Sequence, residues 1–241
     1  MLHQFNILVL SKKAVPAIED PALGWLFAND FSEVAEALDA EWTVIAKPEV
    51  QITREFLNAV ADFCLEFPFA DAFSPRIFQK STGKVFSSGL LMDFRRGLDE
   101  EFRTNEKAEI RPVAAASPEC GVYSTRLLRA LRGFDPELLT DARFLDLGLR
   151  ALHLGANLFA APHISVRSEV PPKPSEGNFL AELGRVYYKD LDILKFFRFA
   201  IHHPTALGAL FKNRKELDKK SLEVTELSRF TDEMFQKVSR R

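Results

Sequence analysis

The sequence predicts an α/β protein: a mostly parallel sheet flanked by helices, with a helical extension at the C-terminal end. Three observations carry that expectation. Residues 5–10 form a short, nearly continuous apolar run ending at Ser11, the pattern of a strand buried on both faces. Residues 42–46 form a second such run. Around them lie stretches with a helical period: Phe31, Val34, Ala35 and Leu38 after Asp30, then Phe56, Leu57, Val60, Phe63, Cys64 and Phe67 after Thr53. Strand-like runs that alternate with helical ones fit a parallel sheet covered by helices.

In order, the chain opens on the 5–10 strand. Between Ser11 and Asp30 stand only KKAVPAIEDPALGWLFAN, with two prolines, which leaves little room for a further strand and helix. Gly24 stands alone there, and neither GxGxxG nor GxxxxGK[ST] occurs, so no glycine-rich phosphate loop is expected. Asp30 with Glu33 reads as a capping box that opens the first helix. The 42–46 strand leads into Lys47-Pro48-Glu49. Thr53 caps the next helix, whose apolar stripe reads as core. Residues 71–78 read as a strand that turns at Thr82-Gly83 into a hairpin partner at 84–87.

The segment 98–112 is dense in charge and reads as an exposed loop, either a mobile cover over a site or a plain solvated excursion. A small-residue strand is expected at 113–117, followed by Cys120-Gly121. Ser124 caps a short helix with Arg126, Arg129 and Arg132 on its wetter face, and Gly133 ends it in the left-handed conformation. A helix over 143–154 and a strand-like run stopping at Pro162 follow.

Composition excludes several functions. With 241 residues, 46% hydrophobic and 27% charged, the chain can bury a substantial core and lacks the signature of disorder. A formal net charge of -2 gives no electrostatic footprint for nucleic acid. The 22 Phe against 3 Tyr and 2 Trp point to a phenylalanine-packed core rather than a base-stacking platform. Cys64 and Cys120 belong to no CxxC or Cys/His cluster and read as buried free thiols of a reducing compartment. No apolar run approaches the roughly 20 residues that span a bilayer, and FNILVL is too short for a signal-peptide core. A cytoplasmic protein is therefore expected.

The most informative stretch is GFDPELLTDARFLDLGLRALHLGANLFAAP at 133–162. Gly133, Phe134, Asp135, Asp146, Leu147, Arg150, Gly155 and Pro162 stand there in the order and spacing of a family-2 glycosyltransferase domain, rhamnosyltransferase-like. In that family a GGFDE turn leads into an EDxDLxxR helix, then a glycine, a strand and a proline. SPRIFQKSTGKVFSSG at 74–89 also resembles the family's passage after its metal motif. The resemblance covers about 30–168. It implies the GT-A fold over residues 1–169, with an abbreviated nucleotide-binding half, and transfer from a nucleotide-sugar donor to a glycan acceptor in bacterial surface polysaccharide assembly.

The resemblance also locates the chemistry, and the chemistry is altered. Lys47 and Glu49 fall at the Asp-x-Asp positions, whose carboxylates hold a divalent cation against the donor diphosphate. With Arg150 they are the donor-binding candidates. One carboxylate beside an ammonium is a poor dication site, so no divalent cofactor is expected. Lys47 either meets the diphosphate without metal or makes a local ion pair at a solvated strand end. Where the family places its general base, this chain has Arg143-Phe144. Asp141 is the nearest carboxylate upstream, either a helix cap or a displaced base. Asp146, the other catalytic candidate, is also spaced for an i,i+4 ion pair with Arg150. Cys120 and Gly121 fall at the floor of the family's acceptor pocket, and Ser168 stands where a metal-linked histidine belongs, His163 coming too early.

The stiff VPPKPS at 170–175 reads as a domain boundary, with a helical extension over 170–241. One long helix is expected from 178 to 202, with Phe179, Leu183, Val186, Leu194 and Phe197 among its buried candidates. Basic residues from Lys195 to Lys215 interleave with Phe and Leu, a pattern that either docks on the chain's own core or contacts an anionic membrane at its inner face. A last amphipathic helix over 215–241 reads as docked or partner-binding. Two functional readings stand: a transferase with metal-independent donor binding, and a catalytically inactive relative serving as a binding or scaffolding subunit.

Overall fold

The computed structural model describes residues 4–11, 20, 22–29, 31–93, 97–100, 109–169, 176–190 and 193–228. Strand β1 (Phe5–Val9), buried along its whole length, lies between β2 (Leu23–Phe27) and β3 (Trp42–Ala46), both parallel to it. β2 corrects the expectation of no further strand before Asp30: a five-residue apolar run suffices to pair at a sheet edge, and the lone Gly24 is carried by the ladder to Asn6. The helix expected after Asp30 is two 3-10 turns instead, Phe31–Glu33 and Ala35–Ala37. Phe31 and Leu38 are buried as expected, Val34 and Ala35 only half-buried, and Asp30 lies outside the described residues.

After the short β4 (Val50–Gln51) comes α1 (Arg54–Glu66), capped by Thr53, whose Oγ1 accepts from the Phe56 N–H at 3.2 Å. Its apolar stripe covers one face of the sheet, packing Phe56, Val60 and Phe63 with Ile7, Val44, Phe73 and Val122. β5 (Ala72–Gln79) turns through Gly83, at φ 65, into the antiparallel β6 (Val85–Ser87). β7 (Leu90–Asp93) and β8 (Gly97–Glu100) form a separate two-stranded sheet, so part of the expected 98–112 loop is strand, as is β9 (Arg111–Pro112). The rest of that loop, 101–108, lies outside the described residues.

The segment 113–117 corrects the sequence expectation most instructively. Its residues are buried, but it is not itself a strand of the main sheet. The Val113 N–H donates to the Leu158 carbonyl and the Ala114 N–H to the Leu90 carbonyl. Its small side chains serve close packing: a Cβ on Gly148 would lie 2.2 Å from the Ala114 carbonyl oxygen. The sheet strand is β10 (Cys120–Ser124), antiparallel to both β3 and β5.

Ser124 caps α2 (Thr125–Ala130), accepting from the Leu127 N–H at 3.3 Å. Gly133 follows at φ 70, where a Cβ would meet the Phe31 ring at 2.0 Å. α3 (Ala142–His153) leads to β11 (Leu158–Ser168), parallel to β5. β11 does not stop at Pro162, because a register shift between Ala161 and Ser165 absorbs the proline. The main sheet runs β2-β1-β3-β10-β5-β11-β4, with β6 beside β5 and β9 beside β11.

The expected long helix is two: α4 (Glu176–Asp190) and α5 (Ile193–His202). A 3-10 turn at Pro204–Ala206 leads to α6 (Leu207–Lys212) and α7 (Arg214–Leu227). On the face opposite α1, α3 and α4 share one core, in which Phe144, Leu145 and Leu149 join Leu183, Val186 and Tyr187. Leu194 and Phe197, expected buried, are exposed, because α5 packs through Phe196, Phe199 and Ala200. The 170–175 boundary and residues 229–241 lie outside the described residues.

Candidate functional site

β3 ends at Ala46 and its antiparallel partner β10 begins at Cys120, so the next rung sets Lys47 opposite Glu119. The Lys47 N–H donates to the Glu119 carbonyl at 2.9 Å. The side chains meet as well, Lys47 Nζ donating to Glu119 Oε1 at 3.3 Å. From the start of α3, Asp141 Oδ2 accepts from the same Nζ at 2.8 Å. Asp141 makes no capping bond to α3, and the Ala142 N–H goes to Thr140 Oγ1 instead. Of its two roles read from sequence, the structure does not realise the cap.

Glu119 is 2% exposed and also accepts from Ser117 Oγ at 2.5 Å. Burial pushes its carboxyl pKa up, against the opposing pull of Lys47 and Ser117. The Ser117 N–H in turn donates to Ser74 Oγ on β5 at 3.1 Å. Glu49 is exposed, and its backbone carbonyl accepts from the Glu169 N–H at 3.1 Å. Pairing of Val50 with Ser168 completes a cluster of backbone neighbours from positions that the sequence separates widely. Lys47, Glu49, Asp141 and Ser168 thus gather beside the end of β3, whereas Arg150, the third donor-binding candidate, makes its contacts elsewhere.

Further along α3 the candidates are structural in their contacts. Asp146 is fully buried, accepting from Arg150 Nε at 2.8 Å and pairing with Lys189 Nζ at 2.7 Å. Lys189 Nζ also donates to Asp135 Oδ2 at 2.7 Å. Arg150 donates from Nη1 to the Leu131 carbonyl and from Nη2 to the Gly133 carbonyl, both at 2.8 Å, so all three of its nitrogens are engaged. Burial alone would raise the Asp146 pKa, but Arg150 and Lys189 more than offset it and hold the carboxyl well below its usual range. Asp190, fully buried beside it, is pushed well above that range by burial and by the Asp146 charge. The glycine-aromatic-acid turn, α3 and α4 are therefore tied by one ionic network. A cavity of about 860 Å3 opens beside it, lined by Leu131, Phe134, Arg150, His153 and Lys220, at the end of α3 away from Lys47.

Cys120 and Gly121, expected at an acceptor-pocket floor, are covered interior of β10. Successive residues of a strand face opposite sides, and here Cys120 packs in the α1 core while a Cβ on Gly121 would meet Ala116 at 2.7 Å, on the other face. Arg143, at the place of the family's base, lies over the Phe134 ring with its guanidinium carbon 4.8 Å from the centroid, and Phe144 is fully buried. Glu119 is the functional candidate that sequence reasoning missed. The apolar run CGVYS just after it was the signal: once that run is a strand antiparallel to β3, Glu119 must face Lys47.

No known protein-family profile and no curated protein matches this sequence. Solved structures do resemble it. GalNAc-T7, solved with UDP, GalNAc and Mn2+, superposes with a TM-score of 0.64 at 11% identity over 93% of this chain and 54% of its own. S. aureus TarS superposes with a TM-score of 0.52 at 14% identity over 93% of this chain and 50% of its own. The chain thus spans about half the length of each. At such identities the likeness speaks for the fold alone: this is an α/β fold of the GT-A glycosyltransferase type, with C-terminal helices. Among the described residues no helix is long and apolar enough to cross a membrane.

Such folds commonly imply a divalent cation at the end of β3, and the residues here do not fit one. The Lys47 ammonium itself sits between the carboxylates, and among the described residues no group of three His, Cys, Asp or Glu is placed to hold a metal. An ammonium at about 4 Å opposes a dication by roughly 1 to 4 kcal/mol per unit charge, depending on the local dielectric.

Proposed function

We propose that the protein binds a nucleotide sugar and transfers its sugar without a divalent ion, Lys47 meeting the donor diphosphate. The observation that carries this is the Lys47 ammonium, held by Asp141 and Glu119 at the carboxyl end of β3, where open α/β sheets take their ligands. A diphosphate competes with Asp141 for that ammonium. As Lys47 turns to the diphosphate, Asp141, whose side chain is 23% exposed, becomes a free carboxylate able to take the proton of an acceptor hydroxyl. The acceptor oxygen attacks the anomeric carbon, the bond to the diphosphate breaks, and Lys47 stabilises the charge that the leaving group gains. Glu119 stays behind as the buried counter-charge that keeps the ammonium in place. The finer reading, a rhamnosyltransferase-like enzyme of surface polysaccharide assembly, rests on the sequence resemblance at 133–162 and 74–89.

A second reading, a catalytically silent binding or scaffolding subunit, is favoured by the same closed ion pair and by Arg143-Phe144 at the place of the family's base. Thermal-shift measurements with nucleotide sugars, in Mn2+ and in EDTA, separate the two, because a ligand bound only by the folded state raises the melting temperature. The expected result is a shift that EDTA leaves unchanged and that Lys47→Met abolishes, with transfer to an acceptor lost in Asp141→Asn. A shift that requires Mn2+ overturns the metal-free mechanism. No shift with any nucleotide sugar overturns the transferase reading in favour of the silent one.

A further inference from the structure

We propose that the outward face of α5 docks the protein on an anionic lipid surface. Phe196, Phe199 and Ala200 turn inward, Phe199 stacking on Tyr187 at 4.6 Å and Phe196 meeting Tyr188 edge-on at 5.5 Å. At about 100° per residue, Leu194, Phe197 and Ile201 then fall within a sector about 60° wide on another face. These three are 69%, 57% and 77% exposed, an outlay of apolar surface on one short helix that core packing does not explain.

Charge decides what covers it. Lys195, Arg198 and His202 fall on the sector adjoining the apolar stripe. From residue 193 to 215 the chain carries Lys195, Arg198, Lys212, Arg214 and Lys215 and not one Asp or Glu, in a protein whose formal net charge is -2. Phe211, on the next helix and directly before Lys212, is 73% exposed as well. A second copy of this chain would bring the same cations against themselves, whereas anionic headgroups attract them while the acyl boundary takes Leu194, Phe197 and Ile201. This inference is independent of any reaction at Lys47.

The test is co-sedimentation of the full chain with vesicles of phosphatidylcholine alone and of phosphatidylcholine mixed with phosphatidylglycerol, at low and high salt. Binding is expected only to the phosphatidylglycerol vesicles and is expected to weaken with salt. Phe197→Glu with Ile201→Glu, both at exposed positions, should abolish it, and Arg198→Gln should weaken it about fivefold, the effect of one interfacial cation. Leu65→Glu, at an apolar position 82% exposed on α1, should leave binding unchanged. Equal sedimentation with and without anionic vesicles overturns the proposal, as does binding that survives the double glutamate. A dimer in solution that the double glutamate dissolves, with no vesicle binding, overturns it and assigns the face to a second copy.

Discussion

Two adjacent buried carboxylates, Asp146 and Asp190, are expected to answer neutralisation with opposite signs. Asp146 sits opposite two cations, Arg150 Nη2 and Lys189 Nζ, each at 2.7 Å. Asp146→Asn keeps the shape but leaves both cations buried against a neutral amide. Removing one partner of such a network costs about 3 to 5 kcal/mol, and at about 2 to 4 °C per kcal/mol for a chain of this size the melting temperature should fall by roughly 6 to 20 °C. Asp190 differs because no N–H or O–H of the described residues reaches its oxygens, so the bond it shares with Asp146 needs a proton of its own. Asp190→Asn supplies a donor without a charge and should be neutral to stabilising at pH 7.

The pH dependence follows from the two directions of shift. Asp146, depressed in the folded state, contributes stability that is complete above the unfolded carboxyl value of about 3.9 and is lost as pH falls below it. Asp190, raised in the folded state, contributes stability that is complete below that value and is lost as pH rises through its folded pKa. The advantage of Asp190→Asn over the natural chain should therefore grow from pH 4 to pH 8. Urea denaturation of both variants across that range is the assay. An Asp146→Asn variant within about 1 kcal/mol of the natural chain, or an Asp190→Asn variant as damaged as it, would refute the reasoning.

Two further outcomes are expected. Gly133→Ala combines a left-handed backbone at φ 70 with a Cβ placed 2.0 Å from the Phe31 ring, and should cost about 2 to 5 kcal/mol in denaturation; a loss below about 1 kcal/mol would mean that Phe31 moves aside freely. Cys120 is buried as expected but Cys64 only half-buried; desolvation still pushes the Cys64 thiol up to about 12 and Cys120 higher, so neither should react with an aromatic disulfide reagent at pH 8 until the chain unfolds, when both should. Rapid labelling of the folded protein would show the thiols more open than their packing indicates.

Local pattern alone was enough for β1 and β3, nearly continuous apolar runs that the sheet buries, and for α1, α2 and α3, whose apolar period one buried face imposes; Thr53 and Ser124 also cap α1 and α2. The i,i+4 pairing of Asp146 with Arg150 was legible for the same reason, since both ends lie on one helix. Lys47 was singled out by its place after β3, and Asp141 by its place before α3. What joins them was not legible. Glu119 meets Lys47 only because β10 runs antiparallel to β3, and that pairing is fixed by the sheet's order, not by any residue near either of them. Lys189 and Asp190 reach Asp146 across more than forty residues of chain, through the packing of α4 on α3. The small residues at 113–117 read as a strand because burial makes strand and close-packed segment alike in composition, and only the approach of Gly148 tells them apart. In α5 the period told that one face is buried, but which of its two apolar faces takes the core, and which is left to carry Leu194, Phe197 and Ile201 outward, was decided by α4, whose Tyr187 and Tyr188 supply the rings against which Phe199 and Phe196 pack.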